Sequence, residues 1–389
     1  MANWKLRLQK RQAQQERTAS LATAPEDNAF IALRIAAASA VVFSHHFSIA
    51  VVQAPAWLHF RMVGGVAVMV FFTISGYLVT LSWLREPHLL AFAGKRLLRL
   101  WPGMLVAIVA GVLLFGPAFT TLPVREFWAH PATGDHWRNL WLVKAYVTLP
   151  NVFIRNPLSG LMNGPLWTIP MEVLCYAVLM LVGGLGLLRW RWLASGALVA
   201  YMAYFVLQRN ADLSGPIQHW FEYPAYFAHG SLIALHRSAF LKHGKHWVLL
   251  LAPVAALLFW GFKLEHTAGL LWLAPLIIYL GLQRSAVWTR LQRLGDPSYG
   301  IYLLGCPIAQ AVYALWPGLP FLVSMALALL LSMAAGYASW HAVESPALRL
   351  KRFLPGARVH PTRSVDTHAQ PLCGGLSNHP PAKPGAFNW

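Results

Sequence analysis

The sequence predicts an all-α integral membrane protein, a bundle of about ten transmembrane helices with both termini in the cytoplasm. Three observations lead there. Of 389 residues, 57 % are hydrophobic and only 11 % charged, against about a quarter charged in soluble domains. The apolar residues gather into runs long enough to cross a bilayer. The Lys and Arg residues fall unevenly on the two sides that those runs define. Together these exclude a disordered chain, a coiled coil and most soluble enzymes. The three cysteines, Cys175, Cys306 and Cys373, show neither disulfide nor metal spacing.

Residues 1–28 read as a basic cytoplasmic arm, with Lys5, Arg7, Lys10, Arg11 and Arg17 and no apolar core. Spans are predicted near 29–54, 64–84, 97–116, 165–188, 192–208, 219–236, 246–262, 267–283, 298–316 and 319–343, at or above the length of roughly 17 residues that a bilayer needs. They make 29–353 one transmembrane domain. The segment 354–389, rich in Pro, His, Ser and Gly, reads as a disordered cytoplasmic tail. With the N-terminus inside, twelve Lys and Arg lie in short inner loops and seven in outer loops, four of the seven in the long loop 117–164. The two tails add eleven more inside, and Arg34 alone falls within a span. This asymmetry sets the orientation and accounts for most of the net charge of +18 without nucleic acid.

Ionisable groups at membrane depth are costly and so mark functional positions. Arg34 and His45 are eleven residues apart, which puts them about 20° apart on one helix face and about 16 Å apart along it. His46 points about 100° away from His45. Glu172 sits about 10 Å below the outer end of its span, near the depth of His45, with Tyr176 about 40° around the same face. A His and a carboxylate at one depth suit a general-base pair. Spacing alone equally allows a packed histidine and a snorkelling arginine. Arg96 and Arg99, one turn apart at the start of the third span, read either as a phosphate clamp or as an inside anchor, and composition favours the anchor. Glu222 and Asp296 lie near span ends, where water is expected to reach them. His229 and His236 share a face without metal spacing, and Cys175 reads as a small buried residue. No metal site is expected.

The chain resembles the membrane-bound acyltransferase family 3, bacterial enzymes that O-acylate polysaccharides. The resemblance covers about residues 28–353 and rests on stretches in order: Leu33-Arg34 through Ser44-His45; Val70-Phe-Phe-Thr-Ile-Ser75-Gly76-Tyr77; Lys95-Arg96-Leu-Leu-Arg99-Leu-Trp-Pro102; Leu166-Trp167-Thr168-Ile-Pro-Met-Glu172; Ser298-Tyr299-Gly-Ile-Tyr302-Leu; and Ser339-Trp340-His-Ala-Val-Glu344-Ser-Pro346. It departs from the pattern at Gly305, where many relatives carry a His, so that role cannot be carried over. The resemblance implies transfer of an acyl group, commonly acetyl, from an acyl-CoA to a sugar hydroxyl, with no metal and no permanently bound cofactor. It implies His45 as base, Glu172 as its partner or site organiser, and Arg34, Arg96 and Arg99 as binders of the donor's phosphates. Ser75, Trp167, Tyr176, Tyr299 and Tyr302 would shape the site. The implied partners are the lipid bilayer, acyl-CoA and a carbohydrate (exopolysaccharide, lipopolysaccharide or lipid-linked oligosaccharide) at the bacterial inner membrane. The rival reading is a proton-coupled secondary transporter, for which no internal repeat is evident.

Overall fold

The computed structural model describes residues 28–52, 60–210 and 219–355. The basic arm 1–28, the tail 354–389 and Cys373 lie, apart from the inner ends of the two segments, outside the described residues. Thirteen helices follow in order: α1 Phe30–Ala50, α2 Phe60–Arg85, α3 Leu89–Phe119, α4 Val124–Ala129, α5 Pro131–Trp137, α6 Gly164–Gly184, α7 Arg191–Asn210, α8 His219–Leu235, α9 Arg237–Gly261, α10 Glu265–Gly281, α11 Ala286–Arg293, α12 Ser298–Leu315 and α13 Phe321–Phe353. The described residues contain no strand, only isolated bridges such as Thr120 to Val152. All-helical architecture is what apolar surroundings require, because a helix satisfies its backbone groups within one segment.

Ten of these helices coincide with the ten apolar runs. Seven are long and apolar enough to cross a membrane, namely α1, α2, α3, α6, α9, α12 and α13. An eighth is reached if α10 and α11, bent 83° apart, form one broken span. These are the helices of a multi-pass membrane protein, and their outward faces carry Leu114, Leu250 and Leu330, each more than 60 % exposed. Such surface is rare on a soluble protein. Helix starts differ from the sequence expectation at two places. α3 begins at Leu89, capped by His88 Nδ1 accepting from the Ala91 N–H, so Lys95, Arg96 and Arg99 lie on the helix. α9 begins at Arg237 and carries Lys242 and Lys245 on its first turns.

α12 is the centre, buried at every residue from Ser298 to Pro307. It packs against α1 and α13, and α1 packs against α2. α2 and α8 meet backbone to backbone: a Cβ on Gly76 would lie 2.0 Å from the Phe227 carbonyl oxygen, and one on Gly230 would lie 2.2 Å from that of Thr73. Small residues at a membrane helix crossing permit this approach. Thr80 Oγ1 donates to Ser231 Oγ across the same seam at 2.9 Å. The segment between α3 and α6 is tied to α12 by Asn156 and Asn163, which donate to the Gln310 and Leu303 carbonyls, and by Gln310 donating to the Leu158 and Leu161 carbonyls.

Candidate functional site

Two cavities open toward opposite ends of the antiparallel helices. The first, about 550 Å³, lies between the start of α1, the end of α2, the start of α3 and the end of α13. Arg34, Arg85, Lys95, Arg96, Arg99 and Lys351 line it, against the carboxylates Glu86 and Glu172. The second, about 980 Å³, lies between the end of α1, the start of α2 and the facing ends of α8, α9 and α10, and His45 lines it. Val68 and Tyr302 line both.

In the first cavity Arg34 Nη1 and Arg99 Nη2 both reach Asp296 Oδ2, at 2.9 and 2.8 Å. Asp296 is 6 % exposed, so the expectation that water reaches it is corrected. Its desolvation is offset by two guanidinium partners, while Oδ1 accepts from the Ser298 N–H and hydroxyl at the start of α12. The preceding Gly295 has φ +94°, and a Cβ there would overlap Trp340 at 1.9 Å. Only glycine gives the turn that delivers Asp296. Arg34 therefore does not merely snorkel. Arg99 also stands 5.8 Å over the Tyr299 ring and 5.9 Å over Trp340. Arg96 stands 5.8 Å over the Tyr176 ring, and its buried Nε has no hydrogen-bond partner among the described residues. Glu344, on the π-helical turn of α13, accepts from Ser339 at 2.7 Å, and its other oxygen is buried with no hydrogen-bond partner among the described residues.

Glu172 Oε1 accepts from Ser75 Oγ at 2.9 Å and from Tyr176 Oη, and those two hydroxyls lie 2.8 Å apart. The carboxylate is bonded to this pair and not to His45, which lines the other cavity. Tyr302 Oη lies 2.7 Å from Thr168 Oγ1 and 3.1 Å from the Pro165 carbonyl oxygen, and the Tyr302 ring meets Phe71 edge-on at 5.5 Å. It stands where the cavities adjoin.

His45 makes no hydrogen bond among the described residues, and its Nε2 lies near Gly164, where a Cβ would be 3.5 Å away. His46 faces elsewhere, as its helical position predicts, with Nε2 2.9 Å from Ser324 Oγ. α1 is unbroken from Arg34 to His45, so the rise of about 16 Å between them holds. Trp167 lines the second cavity, 5.7 Å from His219 and 5.8 Å from Tyr223 between ring centres. Glu222, 2 % exposed, is likewise buried rather than wetted. His229 and His236 are bonded to the Leu270 carbonyl and to Ser195, and Cys175 and Cys306 are buried thiols. At Gly305 a Cβ would meet Val42 at 2.3 Å, so α1 and α12 leave no room for an imidazole there.

The structure thus brings together Arg34, Arg96, Arg99, Ser75, Glu172, Tyr176, Tyr299 and Tyr302, and sets His45 and Trp167 beyond Tyr302. Asp296, Arg85 and Lys351 were missed in the sequence. Asp296 was visible as a carboxylate near a span end, but its partners are far away in the chain.

A family model described as an acyltransferase domain matches residues 27–341. An O-acetyl transferase of Shigella phage Sf6 is 28 % identical over 364 residues, covering 88 % of this chain and 99 % of the relative. Nodulation protein 10 of Rhizobium leguminosarum bv. viciae is 27 % identical over 375 residues, 85 % of this chain and 96 % of the relative. Acyltransferase MdmB of Streptomyces mycarofaciens is 30 % identical over 122 residues, 31 % of this chain and 29 % of the relative. No solved structure matches.

Proposed function

This chain belongs to the acyltransferase family that it matches over residues 27–341, and from that premise we propose that it is an O-acetyltransferase of the bacterial inner membrane. It moves an acetyl group from an acyl-CoA to a hydroxyl of a cell-surface or exported carbohydrate. Acetyl is the group named for the phage relative. The observation that carries the reading is the pair of unlike cavities meeting at Val68 and Tyr302, one rich in cations and one lined by His45. The cationic cavity suits the phosphates of coenzyme A and, by the excess of Lys and Arg, faces the cytoplasm. The rise of about 16 Å along α1 is comparable to an extended pantetheine arm. The phosphates then stay at the inner end while the thioester passes Tyr302 toward His45.

In this mechanism His45 takes the proton of the acceptor hydroxyl as its oxygen attacks the thioester carbonyl carbon. The new C–O bond gives a tetrahedral intermediate. Its collapse breaks the C–S bond, and the leaving thiolate takes the proton from His45, giving the ester and free coenzyme A. Glu172, with Ser75 and Tyr176, organises the donor side of the passage.

Glycan acylation in a deletion strain complemented with His45→Ala or His46→Ala, at matched protein levels, tests the reading. His45→Ala should lose about 10²–10⁴ in rate, and His46→Ala far less. Full activity in His45→Ala refutes it.

A further inference from the structure

The second cavity holds a polar cluster that the transfer step does not use. Glu222 on α8 accepts from His266 Nδ1 at 2.6 Å and from His219 Nδ1 at 3.2 Å, one imidazole on each oxygen. His266 Nε2 lies 2.6 Å from Arg209 Nη2. A guanidinium only donates, so His266 Nε2 accepts and its Nδ1 carries the proton given to Glu222. The orientation of the cluster is therefore fixed from Arg209 through to the carboxylate. The carboxylate is buried behind the two imidazoles and fixes their orientation. His219, its side chain 42 % exposed, has no partner on Nε2 among the described residues and so offers it as an acceptor, and Arg209 keeps further N–H donors. His219 stacks on Tyr223 at 5.7 Å and 12°, and meets the Trp167 edge. The cavity thus presents acceptors and donors together above an aromatic floor.

Charge separates this site from the other cavity. Arg209 faces two carboxylates here, Glu222 and Glu265, and the described residues of the lining include no other Lys, Arg, Asp or Glu. A phosphate is disfavoured, whereas a neutral ring bearing several hydroxyls fits, because each hydroxyl both donates and accepts and the ring's C–H face packs on aromatics. We infer that the cluster of His219, Arg209 and His266, held in orientation by buried Glu222 and flanked by Trp167, is the acceptor-recognition site and binds an uncharged pyranose ring with its hydroxyls on His219 Nε2 and Arg209. The inference rests on the acyl-transfer reading and deepens it. Glu222 is a positioning residue that brings the sugar to His45 across the same cavity.

Its test uses the full chain in lipid nanodiscs, radiolabelled acetyl-CoA, and unacetylated envelope polysaccharide extracted from the deletion strain. Glu222→Gln and Trp167→Ala should each raise the half-saturating polysaccharide concentration about tenfold or more. Coenzyme A affinity, measured by calorimetry on the same samples, should stay within about twofold of wild type. An unchanged half-saturating concentration in both variants overturns the inference. So does a parallel loss of coenzyme A affinity in both, which makes them fold residues. Wild-type protein that binds no coenzyme A refutes the acyl-transfer reading itself, a result separable from either.

Discussion

Replacing Arg99 distinguishes a phosphate clamp from a topological anchor. Its Nη2 donates to Asp296 Oδ2 at 2.8 Å, and Arg34 reaches the same oxygen at 2.9 Å. A guanidinium has five N–H donors in a fixed fork, so the bond to Asp296 leaves others for a ligand in the cavity. Lysine carries its donors on one nitrogen and cannot present a planar fork to a phosphate while holding Asp296. A hydrogen bond to a charged group nets about 1.5–3 kcal/mol. Loss of that contact in Arg99→Ala should therefore weaken coenzyme A about 10- to 150-fold. Arg99→Lys keeps the charge and should lose about tenfold. Breaking a buried ion pair outright costs about 3–5 kcal/mol, but Arg34 remains on Asp296, so the fold should persist in both variants. Calorimetric titration of coenzyme A into purified wild type and the two variants measures the effect. Arg189→Ala, an exposed cation outside the cavity, should bind as wild type. Equal affinity in wild type, Arg99→Lys and Arg99→Ala refutes the clamp and shifts the phosphates to Arg96, Lys95 and Lys351.

Glu172→Gln keeps the shape but removes the charge that Ser75 and Tyr176 donate to. Steady-state acylation should fall about ten- to a hundredfold, and Tyr176→Phe should cost less because Ser75 still donates. Gly76→Ala places a methyl 2.0 Å from the Phe227 carbonyl oxygen; overpacking of about 1–3 kcal/mol should lower the unfolding temperature in detergent, whereas Gly196→Ala, with nothing within 4 Å, should not. His136, in the segment between α3 and α6, is held down to about 4 by burial. The unfolded segment binds a proton that the folded one refuses, so stability is full above about pH 6.5 and falls toward pH 4 by about 3 kcal/mol. Unfolding curves across that range should lose this slope in His136→Asn. Single cysteines on a cysteine-free background should react from outside intact cells at residue 134 and not at residue 90, both exposed positions; the reverse pattern overturns the orientation.

The helices were legible before any coordinates. Apolar runs must pair their backbone groups internally, and helices stand where the ten runs lie, of which seven, or eight counting the bent α10–α11 pair, are long and apolar enough to cross a membrane. Geometry within one helix was legible too, since 100° and 1.5 Å per residue are set by local hydrogen bonds. Arg34 and His45 keep one face of α1, and His46 turns away to Ser324. Relations between helices were not legible. Glu172 finds Ser75 and Tyr176 instead of His45, Arg34 and Arg99 share Asp296, and Glu222 is buried between two histidines. These depend on how far each helix is rotated and how closely it approaches its neighbour. Contacts such as Gly76 on Phe227 and Gly305 on Val42 set that rotation through steric fit summed over many small terms. No local pattern encodes that sum, so tertiary packing alone decided which carboxylate meets which cation and that the cationic cavity and the His45 cavity share Val68 and Tyr302.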